Sequence, residues 1–210
     1  MIPELVLATR NRHKGEELVA LLGDLGIRIR MLDEFPEAPD VIEDGDTCEA
    51  NAIKKARTIA EFTGLPAVAD DTGLEVDALG GRPGVYAARY AGEHATYEDN
   101  CRKLLLELTG VSPAQRTARF LTVAAIALPS GRVQMAQGVL DGVIAEEASG
   151  TLGFGYDPVF FVPELGKTLA QLSAAQKNTI SHRAKAFTQA KDLLHEMEFE
   201  MLESGRSAAR

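Results

Sequence analysis

Two adjacent carboxylates, Asp70 and Asp71, follow an apolar run over residues 65–69 and precede Thr72 and Gly73. The run predicts a buried strand, and carboxylates at its end are costly unless they are paired or bind a metal. Carboxylate oxygens suit Mg²⁺, and Mg²⁺ suits phosphates. Because consecutive strand residues point to opposite faces, both aspartates face one site only if the chain turns there, as Gly73 permits. A plain turn with an Asp cap is the alternative interpretation.

Polar and basic residues fill positions 9–14, between a predicted strand over residues 5–8 and a helix that begins near Lys14. Backbone N–H groups at a helix N-terminus and the helix dipole both favour an anion, and Lys14 adds a positive charge. The segment lacks the glycines and the GK[ST] of a P-loop. It predicts phosphate binding, with a polar loop capped by Asn11 as the alternative.

A second basic segment, residues 177–183, lies at the predicted start of the last helix, near Ser181. Arg183 and His182 are good donors to a base carbonyl, and Lys177 is a good partner for phosphate. The segment therefore predicts contacts to a nucleotide, and a capped helix with exposed basic side chains is the alternative.

Glycines and two aromatic residues dominate the stretch over residues 150–158. It lacks the third glycine of a dinucleotide fingerprint and ends in proline, which excludes a Rossmann turn. Glycines let a planar ring approach the backbone closely, so Phe154 or Tyr156 would be able to stack on a base. Aromatic side chains packed into the core are an equally good interpretation.

An acidic loop supplies the remaining candidates, Glu43, Asp44, Asp46 and Glu49. Taken alone, it is best interpreted as a solvated loop. With a phosphate ligand present, one of these carboxylates would serve as a second metal ligand, but their spacing does not select one.

Alternating strands and helices must position these groups, which predicts an α/β fold. Thr47 is placed to cap a helix that ends at Gly64, and Thr96 with Asp99 resembles a capping box. The segment 74–79 predicts a hairpin arm closed by a turn over residues 80–84. Long strands are expected over residues 117–128 and 132–145, with irregular structure over the glycine-rich stretch.

Composition limits the possible functions. The chain has 210 residues, which suits one domain, and a net charge of −9, which argues against nucleic-acid or anionic-membrane binding. Its longest apolar run is far shorter than the roughly 20 residues of a membrane-spanning helix. Two cysteines, Cys48 and Cys101, form no disulfide framework, so a reducing cytoplasm is expected.

These parts together predict a site for a nucleoside triphosphate with Mg²⁺. Two other function classes remain open at this point. One is a Mg²⁺-dependent pyrophosphatase that acts on modified nucleoside triphosphates such as those of pyrimidines. The other is a non-catalytic nucleotide-binding module.

Six motifs follow one another along the chain. They are Thr9-x-Asn11-x-x-Lys14, Asn51-Ala52-x-x-Lys55-Ala56, Ala69-Asp70-Asp71-Thr72-Gly73-Leu74, Pro83-Gly84-Val85-Tyr86-x-Ala88-Arg89-Tyr90-x-Gly92, Gly153-Phe154-Gly155-Tyr156-Asp157-Pro158 and Ile180-Ser181-His182-Arg183. In this order the set resembles the inosine/xanthosine triphosphate pyrophosphatase family, and the resemblance covers nearly the whole chain, from Leu5 to about Leu194. Thr72 stands where the family usually has serine, which keeps the hydroxyl.

The resemblance implies a mixed α/β protein with a long bent β-sheet and flanking helices that form two lobes around a central cleft. A single domain over residues 1–202 and a mobile tail over 203–210 are expected, in a homodimer. Members of the family hydrolyse deaminated purine triphosphates (ITP, dITP and XTP) to the monophosphate and pyrophosphate with Mg²⁺, and so cleanse the nucleotide pool.

The resemblance also implies a role for each matching residue. Asp71 would be the catalytic acid residue that binds metal and activates water, with Glu43 as the further metal ligand. Thr72 would contact the substrate, Phe154 would stack on the purine, and Gly155, Tyr156 and Asp157 would shape its pocket. Lys177 would reach the nucleotide, and His182 with Arg183 would read the 6-oxo group. The residues expected to hold the triphosphate are Thr9, Arg10, Asn11, Arg12, His13 and Lys14.

Overall fold

The computed structural model describes residue 2 and residues 4–208, with side chains as far as Met197. Five α-helices and eight strands lie in that part of the chain. The helices are α1 (Arg12–Leu22), α2 (Cys48–Thr63), α3 (Tyr97–Glu107), α4 (Ala174–Ile180) and α5 (His182–Ala208). The strands are β1 (Glu4–Leu7), β2 (Arg28–Met31), β3 (Ala67–Val76), β4 (Pro83–Gly84), β5 (Thr117–Ala127), β6 (Val133–Ile144), β7 (Phe160–Val162) and β8 (Lys167–Thr168).

The strands form one sheet in the order β2-β1-β3-β5-β6-β7-β8, and β4 pairs with β3. Strand β1 runs parallel to both β2 and β3, whereas β4 is antiparallel to β3 and β7 is antiparallel to both β6 and β8. This mixed sheet with its helices confirms the expected α/β class.

The chain divides into two compact units. The first unit contains the described residues of 1–71, 123–137 and 184–210. Its core packs apolar side chains of β1, α1, β5 and α5, a pattern set by residues that recur at strand and helix spacing. The largest of these are Leu5, Leu7, Leu18, Leu22, Ile126 and Phe187.

The second unit contains residues 72–122 and 138–183. Its separate core packs one face of α3 against β3, β5, β6 and β7. Its main members are Leu74, Leu104, Leu108, Phe120, Leu140 and Phe160. In each unit a buried apolar cluster holds the secondary structure on which polar side chains are then placed.

Several local predictions agree with the structure. The Thr47 side chain accepts a hydrogen bond from the Ala50 N–H and caps α2, which ends at Gly64 in the left-handed conformation. Thr96 and Asp99 form the expected capping box at the start of α3. The long strands β5 and β6 occupy the two predicted segments, and residues 150–157 contain no helix or strand.

Two local predictions are wrong. The buried strand does not end at Asp70 and Asp71, because β3 continues to Val76 and its residues 74 and 75 pair with β4, while Gly73 has no positive φ. Lys177 lies in the last turn of the short helix α4 rather than at a helix start, because Ser173 caps α4 earlier in the chain. The consequence of the first correction is that Asp70 and Asp71 project from opposite faces of one strand.

The expected mobile tail, residues 203–210, lies outside the residues whose side chains are described, and its mobility stays a prediction. Over the described residues, no helix is long and apolar enough to cross a membrane.

Candidate functional site

Asp71 is held by two polar residues of helix α2. Asn51 donates from Nδ2 to Asp71 Oδ2 at 3.2 Å, and Lys55 Nζ lies 3.5 Å from Asp71 Oδ1. The two α2 residues are four positions apart, so they share a helix face, and that face is otherwise apolar and buried. Each carboxylate oxygen of Asp71 therefore has its own partner, which restricts how the carboxylate can rotate.

Lys55 joins three acidic or polar groups at one ammonium. Its Nζ lies 2.5 Å from Glu43 Oε1 and donates to the Asp70 carbonyl oxygen at 2.7 Å, in addition to the Asp71 contact. Burial by itself lowers the pKa of Lys55, but the charges of Asp71, Glu43 and Asp70 outweigh it and raise the pKa above 10.5. Lys55 is thus a permanent cation inside a cluster of carboxylates.

Asn51 also fastens the acidic loop to α2. Its Oδ1 accepts a hydrogen bond from the Gly45 N–H at 2.8 Å, while its Nδ2 donates to Asp71. A Cβ at Gly45 would lie only 2.7 Å from Asn51 Oδ1, so no larger residue fits without a shift. One amide side chain therefore links the loop that carries Glu43 to the strand that carries Asp71.

The predicted phosphate-binding segment forms the expected helix start. Asn11 caps α1 by accepting from the Lys14 N–H at 3.2 Å, and Thr9 Oγ1 accepts from the Asn11 N–H at 3.2 Å. Lys14 Nζ lies 3.3 Å from Asp70 Oδ2. Lys14 therefore meets the face of β3 that carries Asp70, whereas Lys55 and Asn51 serve Asp71.

Two arginines of that segment pair with other carboxylates. Arg10 donates to Asp40 Oδ1 at 2.6 Å and to the Ala38 carbonyl oxygen at 2.7 Å. Arg12 is exposed and pairs with Glu16 one helical turn along α1, and His13 is also exposed. Arg10 and Arg12 are thus paired outside the carboxylate cluster that contains Lys14. Substrate contact by Arg10, Arg12 and His13 stays a prediction.

The donor set around Asp71 suits Mg²⁺. Among the described residues, no group of three or more His, Cys, Asp or Glu side chains forms a metal cage. Mg²⁺ is usually held by one or two carboxylates together with substrate phosphates rather than by an all-protein cage. Asp71 and Glu43 already share one cation, the Lys55 ammonium, so their carboxylates converge and match that requirement.

In the second unit, Asp157 organises the glycine-aromatic loop. Its Oδ2 accepts from the Phe154 N–H at 2.9 Å and from Lys177 Nζ at 2.5 Å. Asp157 and Lys177 are both buried. A Cβ at Gly153 would collide with the Asp157 carboxylate, so glycine is required there. The buried ion pair therefore fixes the backbone that presents Phe154.

The half-buried ring of Phe154 is flanked by cations and by a second ring. Lys177 Nζ lies 4.8 Å and Arg183 Cζ 5.5 Å from its centroid, both within cation–π range. The Tyr97 ring lies 5.9 Å away at an interplanar angle of 41°. Phe154 is thus the loop aromatic that keeps part of its surface exposed, and its stacking on a base stays a prediction.

Tyr156, the other loop aromatic, belongs to the core of the second unit. Its hydroxyl donates to the Ala87 carbonyl oxygen at 2.8 Å, and burial raises the pKa of the phenol. The neighbouring Gly155 has a positive φ of 64° and its carbonyl accepts from Cys101 Sγ at 3.4 Å. Both residues therefore support the shape of the loop.

His182 and Arg183 are both buried and meet a pair of threonines. Thr122 Oγ1 lies 2.6 Å from His182 Nδ1 and 2.7 Å from Thr72 Oγ1. Arg183 Nη2 donates to Thr72 Oγ1 at 3.2 Å. The His182 ring stacks on Phe120 with centroids 4.5 Å apart. The second unit thus groups Thr72, His182 and Arg183, and their contact with a substrate stays a prediction.

Three residues of these clusters received no role from the sequence. Asn51 and Lys55 interrupt the apolar face of α2, and Thr122 is the fully buried polar residue of an apolar strand. All three lie at positions where the periodicity of the apolar residues predicts burial. A polar side chain at such a position is the signal that would have identified them.

A model of the Ham1 family matches residues 5–193. The chain belongs to the Ham1 family. Curated relatives named dITP/XTP pyrophosphatase include one from Desulforamulus reducens, which is 52% identical over 194 residues that cover 92% of this chain and 96% of the relative. Another, from Geobacillus kaustophilus, is 51% identical over 185 residues that cover 88% and 91% of the two chains. The family resemblance of the motifs is thereby confirmed.

Solved structures of Ham1 proteins share the fold. The Ham1 protein of Staphylococcus aureus has a TM-score of 0.82 and 40% identity and covers 92% of this chain and 99% of its own. The HAM1 protein of Coxiella burnetii has a TM-score of 0.83 and 43% identity and covers 92% and 98%. The mixed α/β architecture is therefore that of this family.

Proposed function

We propose that this member of the Ham1 family hydrolyses non-standard purine nucleoside triphosphates, namely dITP, ITP and XTP, to the monophosphate and pyrophosphate. The observation that carries the proposal is the Asp71 carboxylate, buried and oriented by Asn51 and Lys55. A carboxylate held in this way is prepared to orient a water molecule, and the names of the curated relatives supply the substrate class.

Asp71 acts on the attacking water. Its carboxylate accepts a proton as the water oxygen approaches the α-phosphorus, and the bond to the pyrophosphate oxygen breaks. Lys14, at the start of α1, stabilises the negative charge of the leaving pyrophosphate together with the first N–H groups of that helix. Lys55 and Asn51 keep Asp71 in one rotamer throughout.

Asp71 and Glu43 would hold Mg²⁺ when it binds with the substrate. Bound there, the ion would supply positive charge to offset the charge that develops on the phosphate oxygens. Asp71 and Glu43 both contact the Lys55 ammonium, so the two carboxylates already converge without the metal. Chelation with EDTA is expected to abolish turnover, and added MgCl₂ should restore it.

His182 and Arg183 select the base by matching donors to acceptors. Hypoxanthine and xanthine present a 6-oxo acceptor, whereas adenine presents a 6-amino donor that would leave two buried donors without a partner. A mismatch of this kind discriminates by up to about 10⁴–10⁵. Phe154 stacks on the purine, and the Lys177–Asp157 pair holds the loop that presents it.

Product analysis tests the proposal directly. The pure protein is incubated with ITP, XTP, ATP or GTP and MgCl₂, and the products are separated by anion-exchange chromatography. IMP and pyrophosphate from ITP, with ATP nearly untouched, are expected. IDP with phosphate would contradict attack at the α-phosphorus.

The same assay separates the two other function classes. Turnover of modified pyrimidine triphosphates but of no purine would indicate a pyrophosphatase for other modified nucleotides. Tight ITP binding in calorimetry without any product would indicate a non-catalytic nucleotide-binding module. Either result would overturn the proposed function.

We also propose a homodimeric, cytoplasmic enzyme. Support for the compartment comes from Cys48 and Cys101, which are free and buried thiols in the structure, as a reducing environment favours. Light scattering after size-exclusion chromatography should give twice the chain mass, and a monomer at micromolar concentration would contradict the dimer.

A further inference from the structure

A continuous row of hydrogen-bonding groups leads to His182 in the second unit. Arg183 Nη2 donates to Thr72 Oγ1 at 3.2 Å, Thr72 Oγ1 lies 2.7 Å from Thr122 Oγ1, and Thr122 Oγ1 lies 2.6 Å from His182 Nδ1. Thr122, His182 and Arg183 are 0%, 2% and 2% exposed. Such short contacts between buried groups restrict where each hydroxyl proton points.

The row has a preferred direction. An arginine side chain only donates, so Thr72 Oγ1 accepts at that end. A hydroxyl that accepts a hydrogen bond becomes a better donor, which favours a Thr72 proton directed to Thr122 and a Thr122 proton directed to His182 Nδ1. His182 Nδ1 is then an acceptor, and the ring proton resides on Nε2.

Packing fixes the ring that receives this hydrogen bond. His182 stacks on Phe120 with an interplanar angle of 27°, and it is the first residue of α5. A 180° flip of the ring would put Cδ2 in the place of Nδ1 and break the contact with Thr122. The tautomer, and not only the orientation, is therefore set by the threonine hydroxyl.

We propose that Thr122 is a positioning residue that fixes the Nε2–H tautomer of His182 and so determines base specificity. This inference rests on the proposed function. In this tautomer a neutral His182 donates from Nε2 to a 6-oxo group. In the opposite tautomer Nε2 would accept, and it would match the 6-amino group of adenine.

Substitution of Thr122 tests the proposal. T122V removes the hydroxyl, T122S retains it, and T168V serves as the matched control. Thr168 is also buried in the second unit, and its hydroxyl donates to the Ser149 carbonyl oxygen at 2.6 Å without contacting a histidine. T122V should reduce the preference for ITP over ATP, as a ratio of kcat/KM, by about tenfold or more, while T122S and T168V keep it.

A spectroscopic measurement separates tautomer from general damage. The chain has four histidines, so ¹⁵N-histidine labelling gives few signals. The signal that disappears in an H182Q variant belongs to His182. In the free wild-type protein the two-bond ¹⁵N–¹H spectrum should show His182 protonated at Nε2. T122V should show a mixture of tautomers, and T122S should restore the wild-type pattern.

The outcomes are distinct. A wild-type His182 that is protonated at Nδ1 would overturn the tautomer assignment. A tautomer ratio that is the same in T122V as in the wild type would overturn the role of Thr122. An unchanged tautomer ratio together with a changed ITP-to-ATP ratio would also overturn it, because the effect would not pass through His182. If the wild type hydrolysed no purine triphosphate, the proposed function would fail, while the spectrum of the free protein would still decide the role of Thr122.

Discussion

The first and second units satisfy their buried polar groups in different ways. In the first unit, the carboxylates Asp70, Asp71 and Glu43 are balanced by the ammonium groups of Lys14 and Lys55. In the second unit, Asp157 pairs with Lys177, and the remaining polar contacts of His182 and Arg183 include neutral threonine hydroxyls and aromatic rings.

The two arrangements suit two kinds of ligand group. Alternating carboxylates and lysines suit a polyanion that brings its own cation, because each added charge meets an opposite one. Rings and hydroxyls suit a flat, uncharged base, which is distinguished by stacking and by donor–acceptor matching. Changes in the first unit should therefore affect turnover for all bases, and changes in the second should affect the choice of base.

Asp71→Asn should give the largest effect. The amide keeps the shape of the carboxylate but cannot accept the proton, so kcat for ITP should fall about 10²–10⁴-fold. The ratio of ITP to ATP turnover should stay the same, since no group of the second unit changes. Steady-state kinetics with both nucleotides measure this.

Glu75→Gln is the matched control for Asp71→Asn. Glu75 lies on the same strand β3 and forms a partly exposed pair with Arg119. Its variant should retain activity. Near-normal turnover by Asp71→Asn would remove Asp71 from the catalytic role, and a changed base preference would break the division between the units.

Lys55→Met should destabilise the first unit, and Lys54→Met should not. Lys55 is buried against Glu43 and Asp71, so its removal leaves carboxylates uncompensated, and the free energy of unfolding should fall by roughly 3 kcal/mol. Lys54 pairs with Asp44 at the surface, where such contacts contribute little.

Urea unfolding of both lysine variants measures the difference. Equal stabilities would mean that the buried ammonium does not hold the acidic cluster together. Loss of stability without loss of kcat at low temperature would assign Lys55 a purely structural role.

Phe154→Leu should affect the second unit more mildly. Stacking on an aromatic side chain contributes about 1–3 kcal/mol per base, so KM for ITP should rise about ten- to a hundredfold with a smaller change in kcat. Phe160→Leu is the control, because Phe160 is fully buried in the core of that unit. That variant should lose stability but keep KM. An unchanged KM in Phe154→Leu would contradict stacking.

Ionisation of the two cysteines should have the smallest effect on the protein near neutral pH. Burial, followed by the charge of Asp71, raises the pKa of Cys48 from 9.0 to about 12, and burial, followed by Glu98 and Asp157, raises the pKa of Cys101 to about 12. Both thiols therefore stay protonated at pH 8. Their contribution to stability is complete below pH 9 and is lost as the pH rises toward 12.

Iodoacetamide alkylation at pH 8 checks the cysteine prediction. Both cysteines should react far more slowly in the native protein than in urea. Native Cys48 reacting as fast as the unfolded chain would contradict its burial beside Asp71.

Local chemistry made much of the fold predictable. Thr47 and Thr96 mark helix starts by their capping side chains, and the periodicity of apolar residues locates β5 and α5. The end of β3 was not predictable, because Asp70 and Asp71 resemble a strand terminus. Their partners, Lys14 and Lys55, are distant in sequence, and only those partners make carboxylates acceptable within a strand.

The sequence named the candidate residues of the site, but it did not predict which of them contact one another. All the basic residues at 9–14 were expected to hold the triphosphate, yet the fold brings Lys14 to Asp70 and pairs Arg10 with Asp40. Phe154 and Tyr156 were equally good stacking candidates, and the hydrogen bond of Tyr156 to Ala87 places it in the core. These outcomes depend on long-range contacts that no local pattern contains.

The hydrogen bond from the Gly45 amide to Asn51 has a consequence for measuring motion. Gly45 lies in a segment without helix or strand, yet its N–H donates to a side chain on α2. Hydrogen exchange at this one amide therefore reports how often the acidic loop detaches from the helix. Slow exchange would indicate a loop that stays docked on α2, and faster exchange in Asn51→Ala would show that this hydrogen bond holds the segment that carries Glu43.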